Sequence, residues 1–206
     1  DQGLERLDAR VRYGREDLVE YSPRTEPHAG GAGMTVAELC EATMVLSDNS
    51  AANLLLRRQG GPAGLTAWLR TLGDSHTRLD RIEPALNDVP AGELRDTTTP
   101  QAMARTLGRL VLGDVLGNAE RSRLVAWMQA STTGAKRIRA GIPDDWALAG
   151  KTGSGQYGIA NDMAVLWPPG RAPLVLAVFS RRPGHAHIRR DEPVAEAARL
   201  AVRALG

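Results

Sequence analysis

Apolar residues recur along this chain in two rhythms, every three to four positions through its middle and in short runs near its end. Residues 1–34 follow neither. Leu7 to Tyr13 reads as a short extended piece, and Ser22 to Gly33 is loop, rich in Pro and Gly. A helix then begins at Thr35-Val36-Ala37-Glu38, a capping box in which Thr35 caps and Glu38 reaches back. Val36, Leu39, Cys40 and Met44 share its apolar face. Ser47-Asp48-Asn49 interrupts that pattern, and a second helix runs from Ala51 through Leu56 to Gly60-Gly61. Pro62 opens a third and Gly73 closes it. Residues 74–98 show no periodicity, which for a segment of that length inside a domain points to a functional loop or to disorder. Thr99-Pro100 starts a helix through Met103, Leu107, Leu110 and Val111, and Asn118 caps another through Met128 to Ser131. Thr132 to Asp145 reads as loop or short helix. Three strands follow, the first leading from Trp146 into Lys151, the second spanning Ile159 to Trp167 and the third Leu174 to Ser180. Asp191 caps a last helix ending near Leu205. The pattern predicts an α+β fold, a helical lobe over about 35–140 followed by an antiparallel meander and helix over about 146–206.

Composition narrows the function classes. In 206 residues, 42% apolar content supplies a core, but aromatics at 4% leave Leu, Val and Ala to fill it. A net charge of +2 is dispersed, with neither the basic stripe nor the stacking aromatics of a nucleic-acid binder. No apolar run is long enough to cross a membrane, and no signal-peptide pattern opens the sequence, which starts at Asp1 as if in mid-protein. The single cysteine, Cys40, excludes a disulfide within these residues and reads as a structural thiol on a helix.

Of 26 basic residues only Lys136 and Lys151 are lysine, so a lysine inside a strand stands out. It belongs to Gly150-Lys151-Thr152-Gly153-Ser154-Gly155, where an ammonium and two hydroxyls suit a carboxylate or phosphate. A phosphate-binding loop does not fit. Its first glycine would fall at Asp145, and strand rather than helix follows Thr152. Two more polar clusters interrupt regular structure: Ser47-Asp48-Asn49, and Glu83 with Asn87. Each has a plain alternative, N-cap chemistry for the first and solvated loop residues for the second. Arg81 and Asp96 are opposite charges near the two ends of the 74–98 loop, either a clamp or two solvated groups.

In this order and on these elements, S-D-N, R-x-E-P-x-L-N and K-T-G resemble the class A serine β-lactamases. Leu18 to Pro23, Met34 to Cys40, Ser47 to Leu56, Arg95 to Pro100 and Lys151 to Pro169 are similar to that family as well, so the resemblance covers nearly the whole chain. It implies hydrolysis of a small-molecule β-lactam through a serine acyl-enzyme, with no cofactor and no metal, by a secreted or periplasmic monomer. It assigns Ser47 to proton transfer toward the lactam nitrogen and Asn49 to the substrate amide. Lys151 and Thr152 face the substrate carboxylate, and Lys151 is also catalytic, through its charge near Ser47. Glu83 becomes the general base for the hydrolytic water that Asn87 helps to hold, and the Ser154 N–H becomes half of the oxyanion hole. Tyr21 lines the entrance. Arg137 is a second carboxylate anchor, where other members have an arginine at the position of Ala160. The 74–98 segment becomes an Ω-loop clamped by Arg81 and Asp96, with a cis Glu83–Pro84 bond. The sequence departs from the family at one point: it has no S-x-x-K tetrad, and the expectation is an N-terminally truncated enzyme whose nucleophile, two strands and first helix precede Asp1. A disulfide partner for Cys40, as in some members, belongs to the same expectation. A transpeptidase-like acyl trap and a catalytically silent fragment are the competing readings; Glu83 argues against the acyl trap.

Overall fold

A computed structural model describes residues 5–182 and 188–205; Asp1-Gln2-Gly3-Leu4 lies outside it. Its contacts divide the chain into two units. The first runs up to Leu86 and includes Arg95–Thr97; the second holds Asn87–Leu94 and the chain from Thr98 onward.

In the first unit, β1 (Arg10–Val11) pairs antiparallel with β2 (Met34–Thr35), a shorter strand than the Leu7–Tyr13 pattern suggests. Helix α1 (Val36–Glu41) starts on its capping box: Thr35 Oγ1 accepts the Glu38 amide at 3.2 Å, and Glu38 Oε2 accepts the Thr35 amide at 2.7 Å. A π-helical turn over Ala42–Leu46 then brings the chain to Ser47, whose left-handed backbone (φ 59°) stops the helix. Helix α2 (Asn49–Arg58) and α3 (Gly61–Thr71) complete the unit, with Pro62 in the first turn of α3 and Gly73 (φ 75°) beyond its end. Val11, Tyr13, Met34, Val36, Leu39, Ala42, Ala51 and Leu54 form the core, with Cys40 half-buried against it. Burial pushes the Cys40 thiol above its ordinary pKa.

The second unit is built on a sheet ordered β3-β4-β5, of β3 (Ala147–Ser154), β4 (Ala160–Trp167) and β5 (Leu174–Ser180), all antiparallel. Lys151 pairs with Met163 and Thr152 with Asp162, so the whole Lys-Thr-Gly-Ser stretch is strand. Helix α4 (Pro100–Val111) is capped by Thr99 Oγ1 and packs on β5 and β4, and α5 (Asn118–Gln129) packs on β3. The sequence pattern groups these two helices with the helical lobe. By contacts they fall with the sheet, α4 through an apolar stripe laid on β5 and β4 and α5 through its packing on β3. Asn118 is the first helical residue of α5, and its side chain accepts from Arg121 instead of capping. Helix α6 (Glu192–Ala204) and the short helical turn Ile138–Gly141 bury Ile138, Ile142, Ala160, Ala164, Leu166, Val194 and Ala198. Asp191 precedes α6 but makes no side-chain capping bond. Among the described residues no helix is long and apolar enough to cross a membrane.

Gly141 marks the tightest approach beneath α6. A Cβ there would stand 2.1 Å from the Ala195 carbonyl oxygen and 2.7 Å from Ala198 Cβ. Gly141→Ala is expected to cost about 1–3 kcal/mol by overpacking, read as a lowered Tm in thermal unfolding.

Candidate active site

In the first unit, the residues flagged by sequence sit where regular structure breaks. The Asp48 carboxylate is fully buried and caps α2. Its Oδ1 accepts from the Ala51 amide and Thr25 hydroxyl, both at 2.8 Å, and its Oδ2 from the Arg24 and Thr25 amides, both at 2.9 Å. Tyr13, donating to the Thr25 carbonyl at 2.8 Å, is pushed up to about 12 by burial and then by the Asp48 charge. This scaffold carries Ser47 on one side and Asn49 on the other. The Asn49 side-chain amide donates to the Glu20 carbonyl at 2.9 Å, and its backbone N–H donates to the Tyr21 carbonyl at 3.0 Å. Tyr21, with a left-handed backbone (φ 62°), stands 57% exposed. Ser50 ties down the segment bearing it, through the Val19 amide at 2.8 Å and the Ser22 hydroxyl at 2.6 Å.

Glu83 is gripped by a residue that sequence reasoning missed. Asn53 accepts the Glu83 amide through Oδ1 and donates Nδ2 to the Glu83 carbonyl, both at 2.9 Å. The available signal was weak: an Asn four residues after Asn49, on the same face of α2. The Glu83–Pro84 bond is cis. At the loop neck, Arg81 Nε donates to Asp96 Oδ2 at 2.5 Å, with the Asp96 side chain only 1% exposed. Asp80, also missed, makes the neck reciprocal. The Asp80 amide donates to Asp96 Oδ1 at 2.7 Å, and the Asp96 amide donates to Asp80 Oδ2 at 3.0 Å. The Arg78 guanidinium and that backbone bond hold the Asp80 carboxyl near 2.

In the second unit, β3 presents a cation-rich end. The Lys151 ammonium donates to the Thr152 carbonyl at 2.9 Å, and the Thr152 hydroxyl lies 2.6 Å from that of Thr133. Arg137 is buried, not displayed. Its Nε donates to Asp191 Oδ1 at 2.9 Å, Nη1 to the Gly153 and Asn161 carbonyls at 2.8 and 2.5 Å, and Nη2 to the Ser154 hydroxyl at 2.6 Å. Arg189, a half-exposed cation that the sequence pattern does not single out, also reaches Ser154 Oγ, at 3.3 Å, and Asp191, at 3.4 Å. With two guanidinium groups donating to its oxygen, the Ser154 hydroxyl keeps its own proton for a further acceptor, such as an anionic ligand. Below β3, Asp162 accepts the Ile138 amide at 3.0 Å, and burial pushes its carboxyl up to about 6 against the opposing pull of Ile138 and Arg137. Asn87 belongs to this unit, its carbonyl accepting the Gln156 amide at 3.0 Å. Among the described residues no cluster of His, Cys, Asp or Glu is placed to hold a metal.

The model of a family described as "Beta-lactamase enzyme family" matches residues 1–205. A β-lactamase of Amycolatopsis lactamdurans is 50% identical over 202 residues, covering 98% of this chain and 67% of that protein. The AST-1 β-lactamase of Nocardia asteroides is 53% identical, covering 97% of this chain and 64% of that protein. The KPC carbapenem-hydrolysing β-lactamase of Klebsiella oxytoca is 50% identical, covering 97% and 68%. The chain thus spans about two thirds of the length of these curated relatives. Among solved structures, a reconstructed last common ancestor of Gram-negative class A β-lactamases superposes with a TM-score of 0.95 at 57% identity, over 100% of this chain and 78% of that one. A β-lactamase from Desulfarculus baarsii gives 0.95 at 51% identity, over 100% and 76%.

Asp96→Asn removes the charge opposite a largely buried Arg81 and is expected to loosen the neck by about 3–5 kcal/mol, measured by hydrogen exchange of the Asp80 and Arg81 amides. Asp162 makes the opposite kind of prediction. Its folded carboxyl holds a proton up to about 6 against an ordinary 3.8, so the folded state binds the extra proton and stability falls as pH rises through that window. Asp162→Asn is expected to abolish that slope and to recover about 3 kcal/mol near neutral pH, checked by thermal unfolding from pH 4 to 8.

Proposed function

The chain belongs to the class A β-lactamase family, and from that premise we propose that the whole protein hydrolyses the lactam ring of β-lactam antibiotics, with antibiotic resistance as the consequence. The observation that carries the reading is the end of β3, where Lys151, Thr152 and a Ser154 hydroxyl backed by two arginines offer a carboxylate several donors at once. The ring carboxylate of a β-lactam is such a group.

The chemistry proposed is acyl transfer in two halves. The hydroxyl oxygen of the acylating serine, a residue of the S-x-x-K tetrad in the whole protein, attacks the lactam carbonyl carbon. The C–N bond breaks, and the proton given up by the attacking hydroxyl reaches the departing nitrogen through Ser47. The Ser154 N–H supports the oxyanion. A water then attacks the acyl carbon while Glu83 takes its proton; the ester bond breaks and the serine is regenerated. Asn87 orients that water, and Asn49 holds the acyl side-chain amide. Tyr21, exposed beside Asn49, borders the substrate. Arg137 acts from behind the strand, steering the Ser154 hydroxyl. Arg81 and Asp96 keep the Ω-loop neck closed. Export to the periplasm or beyond and a monomeric state are part of the same proposal. A transpeptidase-like acyl trap is less well supported, since the backbone of Glu83 is gripped on both sides by Asn53, a fixture suited to a base that must keep its place.

In the whole protein, Glu83→Ala is expected to acylate normally but to lose roughly 10²–10⁴-fold in turnover, leaving an acyl adduct visible by mass spectrometry. Fast turnover with no adduct would remove Glu83 from its role. Lys151→Ala is expected to lower kcat/KM strongly and Lys151→Arg to retain part of it, because the carboxylate needs charge above any one donor geometry; nitrocefin kinetics compare the two.

A further inference from the structure

The 74–98 loop is shared between the units, and its second part, Asn87–Leu94, goes with the sheet. What ties it there is the turn between β3 and β4. That turn is tight, with the Gly155 amide on the Ile159 carbonyl at 3.3 Å and the Ile159 amide on the Gln156 carbonyl at 3.2 Å. Two of its residues reach the loop. The Gln156 amide donates to the Asn87 carbonyl at 3.0 Å, and the Tyr157 phenol donates to Asp88 Oδ1 at 2.9 Å. Tyr157 does so from a left-handed backbone (φ 58°), which bulky residues rarely adopt and which persists where the surroundings enforce it. The Arg181 guanidinium stands over its ring, 5.5 Å from the centre, and helps to hold it in place. The bond to Asp88, more than burial, raises the Tyr157 pKa, so the phenol keeps its donor proton throughout the physiological range.

We propose that Tyr157 is a positioning residue for deacylation: a latch that, through Asp88 and the adjoining Gln156–Asn87 bond, holds Asn87 where it must orient the hydrolytic water. The role of Asn87 rests on the function proposed above; the latch itself does not. Asn87 is held on this side through its carbonyl, so whatever shifts that carbonyl shifts the side chain with it. Gly155 shows how little slack there is, since a Cβ at that position would stand 3.0 Å from the Asn87 carbonyl oxygen. Acylation, which uses Ser47 and Lys151, does not pass through the latch.

Tyr157→Phe removes the one hydroxyl and keeps the ring over which Arg181 lies. Residue-resolved hydrogen exchange on the whole protein is expected to show the Gln156 amide and those of residues 88–94 exchanging about tenfold faster. The Asp80 and Arg81 amides at the neck and the Tm are expected to stay unchanged. Asp88→Asn, which preserves an acceptor for the phenol, is expected to exchange close to the parent protein, and Asp88→Ala to match Tyr157→Phe. In stopped-flow turnover the deacylation rate of Tyr157→Phe is expected to fall several-fold while acylation holds. Unchanged exchange in residues 88–94, or a rise spread equally over neck and sheet with a lower Tm, overturns the latch, as does an equal loss in both kinetic steps. Exchange is read without substrate, so a failure of β-lactam hydrolysis and a failure of the latch are told apart.

Discussion

A buried carboxylate saturated with hydrogen bonds is the constraint on which the first unit depends. Ser47 and Asn49 flank a break between helices, where the ladder of helical bonds cannot hold them. Asp48 replaces that ladder. One oxygen caps α2, and the other gathers the amides of Arg24 and Thr25 from a segment that is distant in sequence. Each of its bonds is made by a charged acceptor in a dry setting, where losing a partner costs far more than the bond adds on average. Ser47, next to this anchor in the chain, and Tyr21, whose carbonyl accepts the Asn49 amide, both keep a left-handed backbone.

The second unit solves the same problem with the opposite charge. Arg137 is a cation surrounded by acceptors from β3, β4 and the start of α6. Its planar fork serves four oxygens at once, one more than the three protons of a lysine could. Next to it, Asp162 is an acid that the fold disfavours as an anion, although Arg137 and Lys151 both pull the other way. Burial wins there even though the backbone amides of Ile138 and Met163 also favour the anion.

Local signals were legible in the sequence. Thr35 with Glu38, Pro62, Gly73 and Thr99 mark helix ends because capping acts over three or four residues. The K-T-G stretch reads as strand from its apolar flanks. The candidate site residues were picked out by motifs, Ser47-Asp48-Asn49 at a break between helices, Glu83 and Asn87 in an aperiodic loop, and Lys151-Thr152-Gly153 within a strand. What stayed hidden was long-range. Nothing near Arg137 announces that it will be buried 54 residues from its partner Asp191. Asp191 reads as a helix cap and is spent instead on two arginines, so the local rule fails where a tertiary demand outbids it. Asn53 and Tyr157 are ordinary residues in sequence; only the fold shows that they end on Glu83 and Asp88.

Arg137, Ser154, Arg189 and Asp191 share one hydroxyl and one carboxylate. A substitution at any of them changes what the remaining three encounter, so their effects cannot add. In evolutionary terms these four scattered positions form a single character. A lineage that loses the buried arginine leaves Asp191 in need of a new partner, and the half-exposed Arg189 already stands in place to be one. The duplicated cation would leave Asp191 and the Ser154 hydroxyl a second guanidinium, while the Gly153 and Asn161 carbonyls would lose the one they have.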